Sequence, residues 1–147
     1  MRILVQRVSK ASVTIDQKLH SQIGPGLLIF LGVHKDDREV QASWLAEKCS
    51  NLRIFNDAQD KMNLSIQDIQ GEVLIVSQFT LYGSCEAGRR PEFTQAARGE
   101  HAEALYKHFI SEVKKSLPEV QTGVFGADMK IELINDGPVT FMIEKGV

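Results

Sequence analysis

Apolar and polar positions divide this chain into short blocks, most with the two-residue period of β-strands. From Arg2 to Val8 the alternation is imperfect: Ile3, Val5 and Arg7 fall on one side, Leu4, Gln6 and Val8 on the other. Ala11-Ser12-Val13-Thr14-Ile15 is a second β-prone run, Asp16-Gln17-Lys18 a turn, and His20 to Ile23 a short return strand. Gly24-Pro25-Gly26 breaks the pattern. Leu27 to Val33 is apolar on both faces, as a central strand should be. The period then changes. Asp36-Asp37-Arg38-Glu39 opens a helix with Asp at its cap, and Val40, Trp44, Leu45, Lys48 and Leu52 follow at three- and four-residue steps. Arg53–Asn56 and Met62–Ile66 read as short extended pieces around a loop, and Gly71 precedes a strand from Glu72 to Gln78. A polar, turn-rich stretch from Gly83 to Gly99 leads to a second helix, about Glu100 to Ser116. Its stripe of Ala102, Leu105, Tyr106, Phe109, Ile110, Val113 and Leu117 ends at Pro118. Val120–Phe125, Met129–Asn135 and Val139–Glu144 complete the chain as strands. The order predicts one α+β domain over residues 1–147, with a mostly antiparallel sheet and two main helices.

Composition narrows the function classes. The hydrophobic fraction of 43% and charged fraction of 24% are ordinary for a globular protein. No apolar run reaches the roughly 18 residues of a membrane span. Charge interrupts the first seven residues too early for a signal peptide, so a cytoplasmic protein without a membrane partner is expected. A net charge of −2 excludes a generic polyanion binder. Any nucleic-acid contact must use a local basic patch and respond to salt. Cys49 and Cys85 match no metal spacing and read as free thiols, the first in a helix core, the second in a loop.

Candidate chemistry is sparse. His20 and His34 read as surface residues at strand edges or turns. His101 and His108 share a helix face but stand seven apart, not at the four-residue spacing of a metal pair. Asp36-Asp37 and Asp57/Asp60 look like cap and loop carboxylates, so neither metal nor cofactor is expected. The stretch Ser77-Gln78-Phe79-Thr80-Leu81-Tyr82-Gly83 is harder to dismiss. It ends the apolar run Val73–Val76 with two hydroxyls, an amide and two aromatics, and it contains no base. On a strand, Ser77, Phe79 and Leu81 would face one way and Gln78, Thr80 and Tyr82 the other. The hydroxyls would form no dyad unless the strand bends or ends there, which Gly83 permits. Read from composition alone, Ser77 and Thr80 satisfy backbone groups at a strand end. In Asn135-Asp136-Gly137-Pro138-Val139-Thr140, Asp-Gly signals a hairpin turn and the proline removes a donor from the next strand. Gly24-Pro25 is a second such pair, and spacing does not say which, if either, is special.

Ser77-Gln78-Phe79-Thr80-Leu81 together with Asn135-Asp136-Gly137-Pro138-Val139-Thr140 resembles the paired signature of the D-aminoacyl-tRNA deacylases. The likeness spans essentially the whole chain. It extends to Met1–Val8 with Ala11-Ser12-Val13, Ile23–Leu28, Gly88-Arg89-Arg90-Pro91 and Phe125–Met129. The resemblance implies a barrel-like core and a homodimer with active sites at the subunit interface. It implies that Gly137-Pro138 is cis and enters the partner's pocket. The implied reaction is hydrolysis of the ester joining a D-amino acid, or glycine, to the terminal adenosine of tRNA, with L-amino acids rejected by backbone of the Gly–Pro pair. On this reading Phe79 stacks on adenine, backbone N–H groups near Phe79 and Thr80 hold the ester oxygen, and Ser77, Gln78 and Thr80 orient substrate or water. The attack is driven either by Thr80 as nucleophile or with help from the substrate's own 2′-OH, and the absence of a base favours the second. Arg7 braces the Gly137-Pro138 turn and Met129 lines the pocket. Arg89, Arg90 and Arg98 are the basic-patch candidates for tRNA. A non-catalytic nucleic-acid-binding protein of the same fold is the alternative.

Overall fold

A computed structural model describes all 147 residues. Its centre is β1, Arg2–Ile15. The two β-prone runs at its ends join into one strand. Along one edge β1 pairs antiparallel with β3 (Gly26–Gly32) through Arg2–Val8 and with β2 (Lys18–Ile23) through Ala11–Ile15. Along the other it pairs antiparallel with β8 (Lys130–Glu144). On the far side of β3 the sheet is parallel: β3 pairs with β6 (Glu72–Ser77), and β6 with β7 (Val120–Thr122). The sheet is therefore mixed, with antiparallel ladders only around β1. The segments joining β3 to β6 and β6 to β7 carry the helices, and such crossovers make parallel neighbours. The sheet curls until its ends nearly meet, and Ser21 Oγ of β2 donates to Thr122 O of β7 at 2.9 Å. A small hairpin of β4 (Phe55–Asn56) and β5 (Met62–Leu64) stands apart.

Strand β3 has both faces covered, hence its unbroken apolar run. Leu27, Ile29 and Leu31 face the larger core under the helices, while Leu28 joins Val8, Val13, Ile23, Leu74 and Val76 inside the curled sheet. Helices α1 (Glu39–Asn51) and α2 (Gly99–Lys114) lie side by side over the larger core. The α2 stripe is buried as its sequence predicts: Ala102, Leu105, Tyr106, Phe109 and Val113 all face inward. The α1 stripe is not. Val40, Trp44 and Lys48 face solvent, and the buried face is Gln41, Ala42, Leu45, Ala46, Cys49 and Ser50. Small side chains there let α1 approach its neighbours closely, so packing overrides apolar periodicity. Lys48 and Lys145 instead lie over the exposed Trp44 ring, at 5.7 and 5.2 Å.

Asp37 does not cap α1. The cap position belongs to Arg38, whose N–H donates to Gln41 Oε1 at 2.9 Å. Asp37 is buried, and its carboxylate accepts from the α-amino group of Met1 at 2.6 Å and from the His34 N–H at 2.7 Å. A fully desolvated ion pair of this kind leaves a costly unpaired charge if either partner is lost. No helix is long and apolar enough to cross a membrane.

Candidate active site

The stretch 77–83 is not a continuing strand. Ser77 ends β6, and Phe79–Tyr82 form a single 3-10 turn. Face alternation therefore stops at Gln78, five residues before the predicted bend at Gly83. The turn packs onto Gly32 of β3, where a Cβ would lie 3.0 Å from Leu81 Cβ and 3.1 Å from Gln78 O. Any larger residue there would press the turn outward by a few tenths of an ångström. The Gln78 N–H goes to Leu31 O and the Leu81 N–H to Gln78 O. The Phe79 and Thr80 N–H groups, at the head of the turn, have no such loop partner, as is usual for the first amides of a helical turn.

Beside this turn opens a cleft of about 670 Å³. Ser77, Gln78 and Phe79 form one wall, Phe93, Ala97, Arg98, Gly99 and Ala102 a second, and Phe125 to Met129 with Ile131 a third. Phe79 is 53% exposed, and its ring meets Phe93 edge to face at 5.0 Å. A large aromatic held at a cleft mouth by another aromatic presents a free face to a planar ligand. Phe93, Phe125, Ala97 and Ala102 were not singled out in the sequence as site residues: Phe125 stood there only within a family-like stretch and Ala102 only in the α2 stripe. Phe93 carries a faint signal, an aromatic in a polar, turn-rich stretch.

The cleft holds no acid–base apparatus. Its only ionisable lining residues are Arg98 and Asp128, and Asp128 pairs with Lys130 at 3.0 Å. Thr80 is exposed just outside the lining, and its hydroxyl accepts from the Gln78 side-chain amide, which is not a base. Burial pushes the Tyr106 hydroxyl up to about 12, and that group donates to Ile75 O at 3.2 Å. Burial, aided by the negative charge of Asp37, also pushes Tyr82 upward, so neither tyrosine ionises. Burial likewise pushes the Cys49 thiol up to about 12, away from any nucleophilic role. Cys85 is exposed and outside the cleft. His34 is more than a surface residue: its ring packs against Tyr82 at 5.3 Å and its Nε2 meets Gln95 Oε1 at 3.0 Å. His20 and His101 are exposed, and His108 contacts Ser43 Oγ at 2.9 Å. No cluster of three His, Cys, Asp or Glu residues could hold a metal ion.

The second motif forms no hairpin. Residues 130–144 make one strand, and the register jumps from Thr140 opposite Gln6 to Asn135 opposite Val8. While β1 advances two residues, β8 advances five, and Asp136–Val139 bulge out opposite Arg7. Asn135 ties the bulge together: its Oδ1 accepts from Val139 N at 2.7 Å, and its Nδ2 reaches Gln6 Oε1 at 3.0 Å and Thr140 Oγ1 at 2.9 Å. The buried Arg7 guanidinium donates to Asp136 O at 2.8 Å, Ile54 O at 2.8 Å and Asn56 Oδ1 at 3.2 Å. Gly137-Pro138 is cis and Gly24-Pro25 is not. Gly137 has φ +148°, and a Cβ there would lie 2.6 Å from Val139 Cγ2, so only glycine fits.

Of the residues the sequence singled out, the fold brings Ser77, Gln78, Phe79, Met129 and Arg98 into one cleft. It keeps Arg7, Gly137 and Pro138 outside that lining, although Gly137 and Pro138 are solvent-exposed. Along β8, Gly137 lies six positions beyond Ile131, inside the bulge. Arg89 and Arg90 are exposed on the loop before α2 and do not line the cleft.

Known proteins resemble this chain over nearly its whole length. Residues 4–144 match the family model for D-Tyr-tRNA(Tyr) deacylase. The D-aminoacyl-tRNA deacylase of Protochlamydia amoebophila is 53% identical over 98% of this chain and 95% of its own length. That of Thermotoga petrophila is 52% identical over 98% and 97%. A solved structure, the c-Myc DNA Unwinding Element Binding Protein, superposes with a TM-score of 0.93 at 38% identity over the whole of both chains. A second, described as a probable eukaryotic D-amino acid tRNA deacylase, superposes at 0.83 with 17% identity over 97% of both, a likeness of fold alone. On these likenesses, the chain belongs to the D-aminoacyl-tRNA deacylase family of ester-hydrolysing enzymes.

Proposed function

We propose that the active site is split between two copies of this chain in a homodimer, and that the Asp136–Val139 bulge of one enters the cleft of the other. The observation that carries this reading is a separation. Both halves of the signature are rigidly held, yet Gly137 and Pro138 do not line the cleft of their own chain. An exposed bulge, fixed by a buried arginine and an asparagine cap, has the character of a part made for another surface. Exposed apolar side chains on the same strand, Ile134, Phe141 and Met142, supply material for such a contact.

In this arrangement the bulge selects chirality. Its backbone crowds the Cα of the bound aminoacyl group on the side where an L side chain would project. Hydrogen or a D side chain is left free, so the filter works by clash and ignores which D side chain is present. D-aminoacyl-tRNA is thus hydrolysed, glycyl esters such as glycine mischarged on alanine tRNA are accepted, and L-esters survive. Phe79 stacks on the terminal adenine. The Phe79 and Thr80 N–H groups hold the ester oxygen as charge develops on it. Ser77 and Gln78 orient substrate with Thr80, Met129 shapes the pocket, and Arg7 braces the partner-directed bulge. The substrate's 2′-OH assists the attack, which suits a site without a base. Arg98 beside the cleft, with Arg89 and Arg90 on the adjoining loop, meets tRNA phosphate. The setting is cytoplasmic, where aminoacyl-tRNA is found.

The rival reading is a nucleic-acid-binding protein without catalysis. The name of the relative described as a DNA-unwinding-element binder favours it, and a net charge of −2 weighs against it.

Three outcomes test the proposal. Incubation with D-Tyr-tRNA and L-Tyr-tRNA should release tyrosine from the D-ester only. Loss of both esters would remove the chirality filter, and tRNA binding without turnover would favour the rival. Thr80→Ala should lower kcat by less than about tenfold, because Thr80 orients and does not attack. Loss of a nucleophile or its base costs about a hundredfold or far more, and such a fall with binding intact would make Thr80 chemical. Charge reversal at Arg89, Arg90 and Arg98 together should raise KM for tRNA and flatten its salt dependence. An unchanged KM would remove these residues from the tRNA surface.

A further inference from the structure

The 3-10 turn that carries Phe79 and Thr80 is one turn long. A turn so short holds few hydrogen bonds of its own, and its last carbonyls have no partner within it. Leu81 O is one of these, and it accepts from Arg2 Nη1 at 2.6 Å. The same guanidinium lies over the Tyr82 ring, 4.6 Å from its centroid, and its Nε and Nη2 reach Glu144 Oε2 at 3.2 and 3.0 Å. The Tyr82 ring has the His34 ring at its edge, while its buried hydroxyl has no hydrogen-bond partner. The Tyr82 ring is thus held between the Arg2 guanidinium and the His34 ring. Arg2 is itself held in place, since the preceding residue's α-amino group is the one buried against Asp37, whose other oxygen takes the His34 N–H. Gly32 supports the turn from beneath. Arg2 thus grips the back of the turn whose front amides have no loop partner, and it is absent from the cleft lining.

We propose that Arg2 is a positioning residue for the deacylation: by fixing Leu81 O and the Tyr82 ring, it sets the angle at which the Phe79 and Thr80 amides meet the ester. This rests on the reading that those amides hold the ester oxygen. Preorganised donors act only at the right distance, and a misplacement of about 1 Å costs on the order of a hundredfold. The surface pair with Glu144 contributes little to stability by comparison.

The test is steady-state hydrolysis of D-Tyr-tRNA by Arg2→Met, Arg2→Lys and Glu144→Gln, alongside thermal melting. Arg2→Met should lower kcat roughly ten- to a hundredfold with KM within about twofold, in a protein that still melts cooperatively. Arg2→Lys, which offers Leu81 O one donor in place of a planar fork, should recover part of the loss. Glu144→Gln should keep the parental kcat, because the bond to Leu81 O remains. A kcat within about twofold of the parent in Arg2→Met, a loss carried by KM alone, or a Lys variant no better than Met would each overturn the proposal. Should Arg2→Met fail to fold, Arg2→Lys decides: reduced kcat at constant KM supports the role and full activity overturns it. Failure of the amide reading is seen separately, as an unchanged kcat when the Thr80 backbone N–H is replaced by an ester oxygen in semisynthetic protein.

Discussion

Strand β1 is bound by hydrogen bonds along both of its edges, and the rest of the molecule is arranged around that constraint. A strand held on both sides cannot absorb a mismatch in length. Where β8 spends five residues against two of β1, the surplus is expelled as the Asp136–Val139 bulge. The inward-pointing residue at that step is Arg7, and its donors stop the bulge from collapsing back. At its start β1 places Arg2 against the 3-10 turn. One strand therefore supports both halves of the signature, the cleft-forming turn through Arg2 and the exposed bulge through Arg7.

The chemistry follows from the substrate as much as from the protein. An aminoacyl ester is already activated, so the barrier yields to orientation and to stabilisation of a developing oxyanion. A largely apolar cleft, with backbone amides beside it and no free base, suits that task. The same absence of acid–base groups would disqualify the site for a more stable amide or phosphodiester. The two tyrosines, Tyr82 and Tyr106, are kept neutral by burial.

The sequence made some of this legible. Imperfect alternation marked β1, unbroken apolar runs marked β3 and β6, and the 3.6-residue stripe of α2 became its buried face. Elements set by tertiary context were not legible. The apolar members of α1, Val40 and Trp44, proved exposed, because Ala42, Ala46 and Cys49 are the residues small enough to pack. Asp37 looked like a helix cap, yet its partner is the α-amino group 36 positions away. Asp136-Gly137 carried a turn signal and became a bulge, since turn propensity does not reveal that the flanking segments share one ladder. The parallel β3–β6–β7 pairing depended on crossovers that local patterning does not encode. At the site, Ser77 to Phe79 and Met129 stood out through the family likeness. Phe93 and Phe125 complete the cleft from distant loops; Phe125 fell within a family-like stretch without a role, and Phe93 left little trace.

The most direct test of the split site is sedimentation of the protein across a dilution series, with D- and L-Tyr-tRNA hydrolysis measured on the same samples. The account predicts a dimer, with D-specific activity per chain falling in step with dissociation. A monomer that hydrolyses the D-ester at full rate and still spares the L-ester would contradict it.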